Sequence, residues 1–307
     1  MTKQPTLVNL KGLPFGGAQY VPSYDREEFV KLAIRCSADS LWQPEVQDEF
    51  IATYRNWIQA TQLNTITGLD KFPVSVVTQG TTEGFDKFYL KNSSRRLRYF
   101  KGEYMYHQVA GRQYFDYIAT FIENEELEAN DVVVISLPFS DTGNEHPRMK
   151  EILTKCSSLG IPVLLDCAYL GICSGINFNL DYDCITDVTF SLSKTFPVPH
   201  LRIGMRLTRA DDDDALLVTN KTQYVNRLSV AVGTALMNQW PVDTIPLVYK
   251  QTQLEFCEKL GVEPSHCVIF GIDTTGKWAQ YNRGGPTNRL CFAKYLDTKE
   301  LPVDTNV

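Results

Sequence analysis

Short apolar runs alternate with segments of helical spacing through the middle of the chain. Residues 74–78, 132–137, 162–166, 188–193 and 201–207 are such runs and read as strands. Between them, residues 83–90 and 147–159 read as helices. The second helix sets Met149, Ile152, Leu153 and Cys156 on one face, and Gly160 ends it as a C-cap. Upstream, residues 25–37 and 44–62 carry apolar positions at intervals of three and four, among them Phe50, Ile51, Tyr54, Trp57 and Ile58. Pro44 suits a first helical turn. Residues 1–25 show little periodicity and read as an extended arm. Downstream, residues 215–240 read as one long helix. Residues 267–272 and 289–295 read as two strands of a smaller second region.

Apolar strands that alternate with helices predict an α/β fold with a mostly parallel sheet covered by helices on both faces. The pattern fills roughly residues 70–210 and divides the chain in three. Residues 1–45 form an arm and a helix, 46–210 a large domain, and 211–307 a linking helix with a short C-terminal small domain. A length of 307 residues suits that division.

Composition narrows the function. Lys and Arg number 30 against 36 Asp and Glu, a net charge of −6, which argues against a nucleic-acid partner. No stretch approaches 18 apolar residues, and Met1-Thr2-Lys3-Gln4-Pro5 is polar, so the expectation is a cytoplasmic protein without a membrane partner. The eight cysteines lack C-x-x-C spacing and read as buried free thiols. The four histidines are scattered, so no metal site is expected. The acidic run 211–214 reads as a solvated loop or helix start, with calcium binding as the weaker alternative.

Four short elements carry candidate chemistry. Ser191-Leu192-Ser193-Lys194 ends an apolar strand. A lysine at the carboxyl end of a strand in an α/β sheet faces the crevice where ligands bind, and desolvation there makes it a nucleophile. Asp166-Cys167-Ala168-Tyr169 ends another strand. An acid so near the sheet core needs a partner, which a protonated nitrogen heterocycle would supply, although a plain helix or turn cap is the competing reading. Gln79-Gly80-Thr81-Thr82 joins a strand to a helix and could cradle a phosphate. Arg202, with Ser191 and Ser193, could close a phosphate clamp.

In this order the four elements resemble the fold-type-I pyridoxal-phosphate enzymes, within them the aspartate-aminotransferase-like class I/II group. The stretch Ser-Leu-Ser-Lys-Thr-Phe…Leu-Arg-Ile-Gly is especially similar to the histidinol-phosphate aminotransferase branch. The resemblance covers residues 70–210 well and the ends poorly. It implies that Lys194 holds pyridoxal 5'-phosphate as an internal aldimine and shuttles the substrate α-proton. It implies that Asp166 pairs with the pyridinium nitrogen and Tyr169 with the ring's phenolic oxygen. Gly80, Thr81, Thr82, Ser191, Ser193 and Arg202 would hold the phosphate. Tyr104 would stack on the ring, with Tyr106 or a plain core role as alternatives. Arg289 would grip the α-carboxylate of an amino acid substrate through its bidentate fork. A homodimer with sites near its interface is also implied.

Three departures stand out. Ser140-Asp141-Thr142-Gly143 replaces the usual Asn-Pro-Thr-Gly, so Ser140 stands where an asparagine would bond the ring oxygen. Neither Trp42 nor Tyr54 matches the tyrosine that usually crosses from the partner subunit. The small domain is shorter than is usual. The reading is a pyridoxal-phosphate aminotransferase. Alternatives on the same cofactor are elimination, replacement, decarboxylation or oxidation. More distant ones are a non-catalytic relic of the fold and an unrelated nucleotide-binding protein, though the Gly-x-Gly-x-x-Gly fingerprint is missing.

Overall fold

A computed structural model describes residues 42–117, 119–211 and 214–302, with residues 10, 12–21, 28, 31–33, 35–36 and 40. The expected start of the chain at residues 1–5, much of the helix expected over 25–37, and Asp212 and Asp213 lie outside the described residues.

The strands are β1 (Thr65–Thr67), β2 (Val74–Gln79), β3 (Arg96–Tyr99), β4 (Thr120–Phe121), β5 (Asp131–Ser136), β6 (Val163–Asp166), β7 (Asn177–Asn179), β8 (Ile185–Ser191), β9 (Ile203–Thr208), β10 (Glu263–Pro264), β11 (Phe270–Asp273) and β12 (Asn288–Cys291). The helices are α1 (Val46–Gln59), α2 (Gly80–Lys91), α3 (Met105–Gln113), α4 (Met149–Leu159), α5 (Ala215–Lys221), α6 (Arg227–Gln239) and α7 (Thr244–Leu260).

Among the described residues the main sheet has seven strands in the order β2-β9-β8-β6-β5-β3-β4. The neighbours from β8 to β4 are parallel, whereas β9 is antiparallel to both β2 and β8. Alternation along the strands assigns the faces. Val132, Val134 and Leu164 pack with Phe85, Phe88 and Ala110 from α2 and α3. Val133, Ile135, Val163 and Leu165 belong to the other, larger core, with α1, α4 and α6. A small antiparallel sheet, β10-β11-β12, follows α7. The α/β class and mostly parallel sheet agree with the reading from the sequence. No described helix is long and apolar enough to cross a membrane.

Two local expectations need correction. The separate turn at residues 79–82 is absent, because α2 begins at Gly80 directly after β2. Gly80 makes that abrupt change possible at φ +71°. The long helix expected over 215–240 is two, α5 and α6. Gln223 takes a left-handed φ of 58° between them, and the Asn226 side chain caps α6 by accepting from Ser229 N. Asp214, the last of the acidic run, caps α5 in the same way through Leu217 N, so at that residue the helix-start reading holds.

The topology sets the site. The carboxyl ends of β2, β3, β5, β6 and β8 lie at one edge of the sheet. Because β9 runs the other way, its beginning lies there too. Gly80, Ser136, Asp166, Ser191 and Arg202 therefore share one edge, the ordinary place for a ligand crevice in such sheets.

Candidate active site

A cavity of about 720 Å³ opens at that edge. It is lined by Thr81, Thr82, Tyr104, Ser140, Asp166, Tyr169, Ser191, Ser193, Lys194, Arg202 and Arg289, every residue proposed from the sequence save Gly80. Gly80 lies directly behind Arg202, since a Cβ there would collide with its guanidinium.

Lys194 follows β8 by three residues. Its Nζ donates to the carbonyl of Ala18 at 2.8 Å, so residues of the N-terminal arm reach into the cavity. Burial holds the Lys194 ammonium below its ordinary pKa, and Arg289 and Arg202 push the same way. Asp166, at the end of β6, is buried and accepts from Ala168 N at 3.1 Å. Burial, and next the charge of Glu103, push its carboxyl up to about 8. The pairing is that of a desolvated amine and a proton-holding acid in one cavity.

The clamp beside them is held by its own hydrogen bonds. Ser191 Oγ and Ser193 Oγ lie 2.9 Å apart, and Ser193 N donates to Ser191 Oγ at 3.1 Å. Arg202 takes a left-handed φ of 53°, a strained state for a non-glycine residue. Its guanidinium donates to Gln79 O at 3.2 Å and Thr82 Oγ1 at 3.3 Å. Gly204 permits this closeness, since a Cβ there would stand 2.7 Å from the Gly80 backbone. Arginine, hydroxyls and the first turn of α2 thus converge, and that donor set suits a phosphate.

Tyr104, Tyr169, Ser140 and Arg289 also line the cavity. Tyr104 lines the cavity, whereas Tyr106 turns away to donate to Asp86 Oδ1 at 2.7 Å, which separates the two candidates for a stacking ring. Arg289 is buried, its guanidinium carbon 4.3 Å from the centre of the Phe270 ring, and donates to the Ser140 carbonyl. Its buried Nε has no hydrogen-bond partner among the described residues. Neither Trp42 nor Tyr54 joins the cavity lining: Trp42 is 84% exposed and Tyr54 is in the core.

Two residues went unnoticed in the sequence. Glu103 is buried against the cavity and accepts from Ser136 N and Tyr104 N, both at 2.9 Å, and from the Ser136 hydroxyl. Burial pushes its carboxyl up. Arg283 donates through Nη1 to the Ser140 carbonyl at 2.8 Å and hydroxyl at 3.3 Å. The strand before Glu103 is Arg96-Leu97-Arg98-Tyr99, which is not an apolar run, so the local sequence gave no signal for it. Arg283 lies in a polar loop far along the chain and gave none.

No family model and no curated protein matches the sequence. Solved structures do match the fold. MppP soaked with the product 2-ketoarginine aligns with TM-score 0.68 at 14% identity, over 93% of this chain and 95% of that one. A Thermus thermophilus aspartate aminotransferase single mutant aligns at 0.67 and 14%, over 95% and 89%. The L-threonine-O-3-phosphate decarboxylase of Porphyromonas gingivalis aligns at 0.63 and 14%, over 92% and 98%. The fold is thus the aspartate-aminotransferase-like fold of the fold-type-I group.

Proposed function

We infer that the protein binds pyridoxal 5'-phosphate and transfers the amino group of an α-amino acid. The observation that carries this reading is the placement of Lys194 and Asp166. A desolvated amine and an acid with a raised pKa share one cavity, beside a donor set suited to phosphate. The residues fit the cofactor in a second respect. Gly80 and Gly204 leave no space for a Cβ behind Arg202, so the clamp keeps its shape at the cost of two positions that tolerate little else.

Bound there, pyridoxal 5'-phosphate would supply an electron sink for chemistry at the substrate α-carbon. The chain's own groups would do the rest. Lys194 would hold the cofactor's aldehyde carbon and then, freed by the substrate amine, carry the α-proton. Asp166 would keep the ring nitrogen protonated. Thr81, Ser191, Ser193 and Arg202 would anchor the phosphate. Arg289 would fix the substrate carboxylate, and the arm residues 12–19 would exclude water. Decarboxylation, elimination, replacement and oxidation would use the same cofactor residues, so the reaction class rests on product analysis.

The test is spectroscopic. Protein mixed with pyridoxal 5'-phosphate should gain a visible absorption band that shifts on addition of the right α-amino acid, and an α-keto acid acceptor should then become aminated. Lys194→Ala should fold and lose the band. A wild-type protein that takes up no pyridoxal 5'-phosphate would refute the cofactor. Uptake followed by release of carbon dioxide or ammonia, without amination of an acceptor, would move the protein to another reaction class.

A further inference from the structure

Ser140 is the place where the reading above lacks the usual side-chain amide. The resemblance puts a side-chain amide there, facing the phenolic oxygen of the cofactor ring. A serine is one bond shorter, and its hydroxyl oxygen accepts from a guanidinium at 3.3 Å, which fixes that side chain against the arginine. That guanidinium belongs to Arg283, in the loop before β12. It lines the cavity and rests on both oxygens of Ser140. Asp141 Oδ1 lies 3.9 Å from the same Nη1; Asp141 is fully buried, which raises its carboxyl, and Arg283 and Arg289 pull it back down.

Tyr169 shows where that charge is felt. Burial raises the Tyr169 phenol, and Arg289 and Arg283 are the cations that pull it back. Arg283 therefore acts on both groups that the resemblance assigns to the ring oxygen, Ser140 by direct hydrogen bonds and Tyr169 through space. Burial, and then the nearby Arg289, bring the Arg283 guanidinium down to about 10, which leaves it charged at neutral pH. Its hydrogen bonds to described residues all leave from Nη1. A guanidinium has five N–H donors in a rigid fork, so donors remain for a ligand.

We propose that Arg283 supplies the hydrogen bond to the ring's phenolic oxygen for which the resembling enzymes use an asparagine, with Ser140 as its positioning residue. The proposal rests on the pyridoxal-phosphate reading and deepens it. The serine and the arginine form a matched pair: the short side chain leaves the space that the guanidinium fills. A cationic donor replaces a neutral amide, so the oxygen is held as a phenolate more firmly than an amide would hold it.

The experiment measures binding, with two probes: pyridoxal 5'-phosphate and its 3-deoxy analogue, which keeps the aldehyde and the phosphate but lacks the phenolic oxygen. Wild-type protein should bind the first at least about tenfold more tightly, in line with a charge-assisted hydrogen bond. Arg283→Met should remove most of that preference and weaken the 3-deoxy analogue little. Ser140→Asn combined with Arg283→Met should restore a preference, because an amide then reaches the vacated place. If Arg283→Met does not fold, Arg283→Lys serves: one ammonium cannot reproduce the fork, so the preference should drop several-fold. An undiminished preference in either variant, or an equal loss on both probes, would overturn the proposal. Wild-type protein that binds neither probe would instead overturn the cofactor reading, so the two failures are distinct.

Discussion

Asp166 carries an acid–base consequence that is measurable without any ligand. Its carboxyl is pushed up to about 8 in the folded protein, against an ordinary value near 3.9. The folded state thus holds a proton that the unfolded state has released. Stability from this group is fully present at low pH and is lost as the pH rises from about 4 through about 8. The loss is on the order of a few kcal/mol, since each unit is worth about 1.4 kcal/mol. Asp166→Asn mimics the protonated acid and should flatten that slope. Thermal melts of ligand-free protein should show the variant equal to wild type near pH 4 and more stable at pH 8 and above. Parallel pH profiles would show that Asp166 is not the group responsible. Glu103 shifts in the same direction and pushes Asp166 further up, so part of the slope belongs to the pair. The residues legible in the sequence sit at the edges of apolar runs, Lys194 and Asp166 at the end and Arg202 at the start, where local context already tells of a buried strand edge. Glu103 and Arg283 reach the cavity together with partners 33 and 143 residues away, and no local spacing encodes that.

Elements divide in the same way. The central strands β5 and β6 are covered on both faces, so their sequences are nearly continuous apolar runs and could be read directly, whereas β8, with Thr186, Asp187 and Thr189, is legible only from residue 188 onward. β3 could not be read, because Arg96 and Arg98 break its pattern. Arg98 is fully buried all the same, 2.8 Å from the equally buried Asp131. α7 was also missed. Its buried side includes Thr252 and Gln253, and Gln253 Nε2 donates to the carbonyls of Ser265, Cys267 and Phe270, so a polar side chain does the packing of an apolar one. The end of the β2–β9 pair yields a prediction at this scale. Gly204 faces Thr78 across the ladder, and its missing Cβ is the space that the Gly80 backbone occupies at 2.7 Å. Backbone cannot swing aside as a side chain would. Gly204→Ala should therefore cost about 2 kcal/mol in denaturant unfolding and weaken pyridoxal 5'-phosphate binding through the displaced Gly80 and Arg202. Gly261→Ala is the control: its φ is +68° with open space around it, so it should cost about 1 kcal/mol and leave binding unchanged. Equal effects of both on binding would contradict the tie between β9 and the clamp.

At the scale of the molecule, the arm joins the small sheet to the cavity. Phe15 is buried in a ring of Trp278, Tyr281, Phe292 and Tyr295, with centroids 5.6–6.0 Å away. Its carbonyl accepts from Cys291 N at 3.0 Å, and Pro14 O accepts from Tyr295 Oη at 3.0 Å. Three residues further on, Ala18 O takes the hydrogen bond from Lys194. One aromatic anchor thus holds in place a segment that covers the amine. Phe15→Ala would remove a fully buried aromatic side chain, a loss of about 3–5 kcal/mol when the cavity does not collapse. That loss should fall on the docking of residues 12–20 rather than on the seven-stranded sheet, because the partners of Phe15 lie in the C-terminal part of the chain. Hydrogen exchange at the Cys291 amide should accelerate by about a hundredfold or more, while the sheet amides of β5 and β6 keep their protection. Pyridoxal 5'-phosphate should enter faster through the opened mouth, and turnover should fall as water reaches the site. A uniform drop in protection across the sheet would make Phe15 part of the global core. Unchanged exchange at Cys291 would mean that the arm is held by other contacts and that its place over Lys194 does not depend on this anchor.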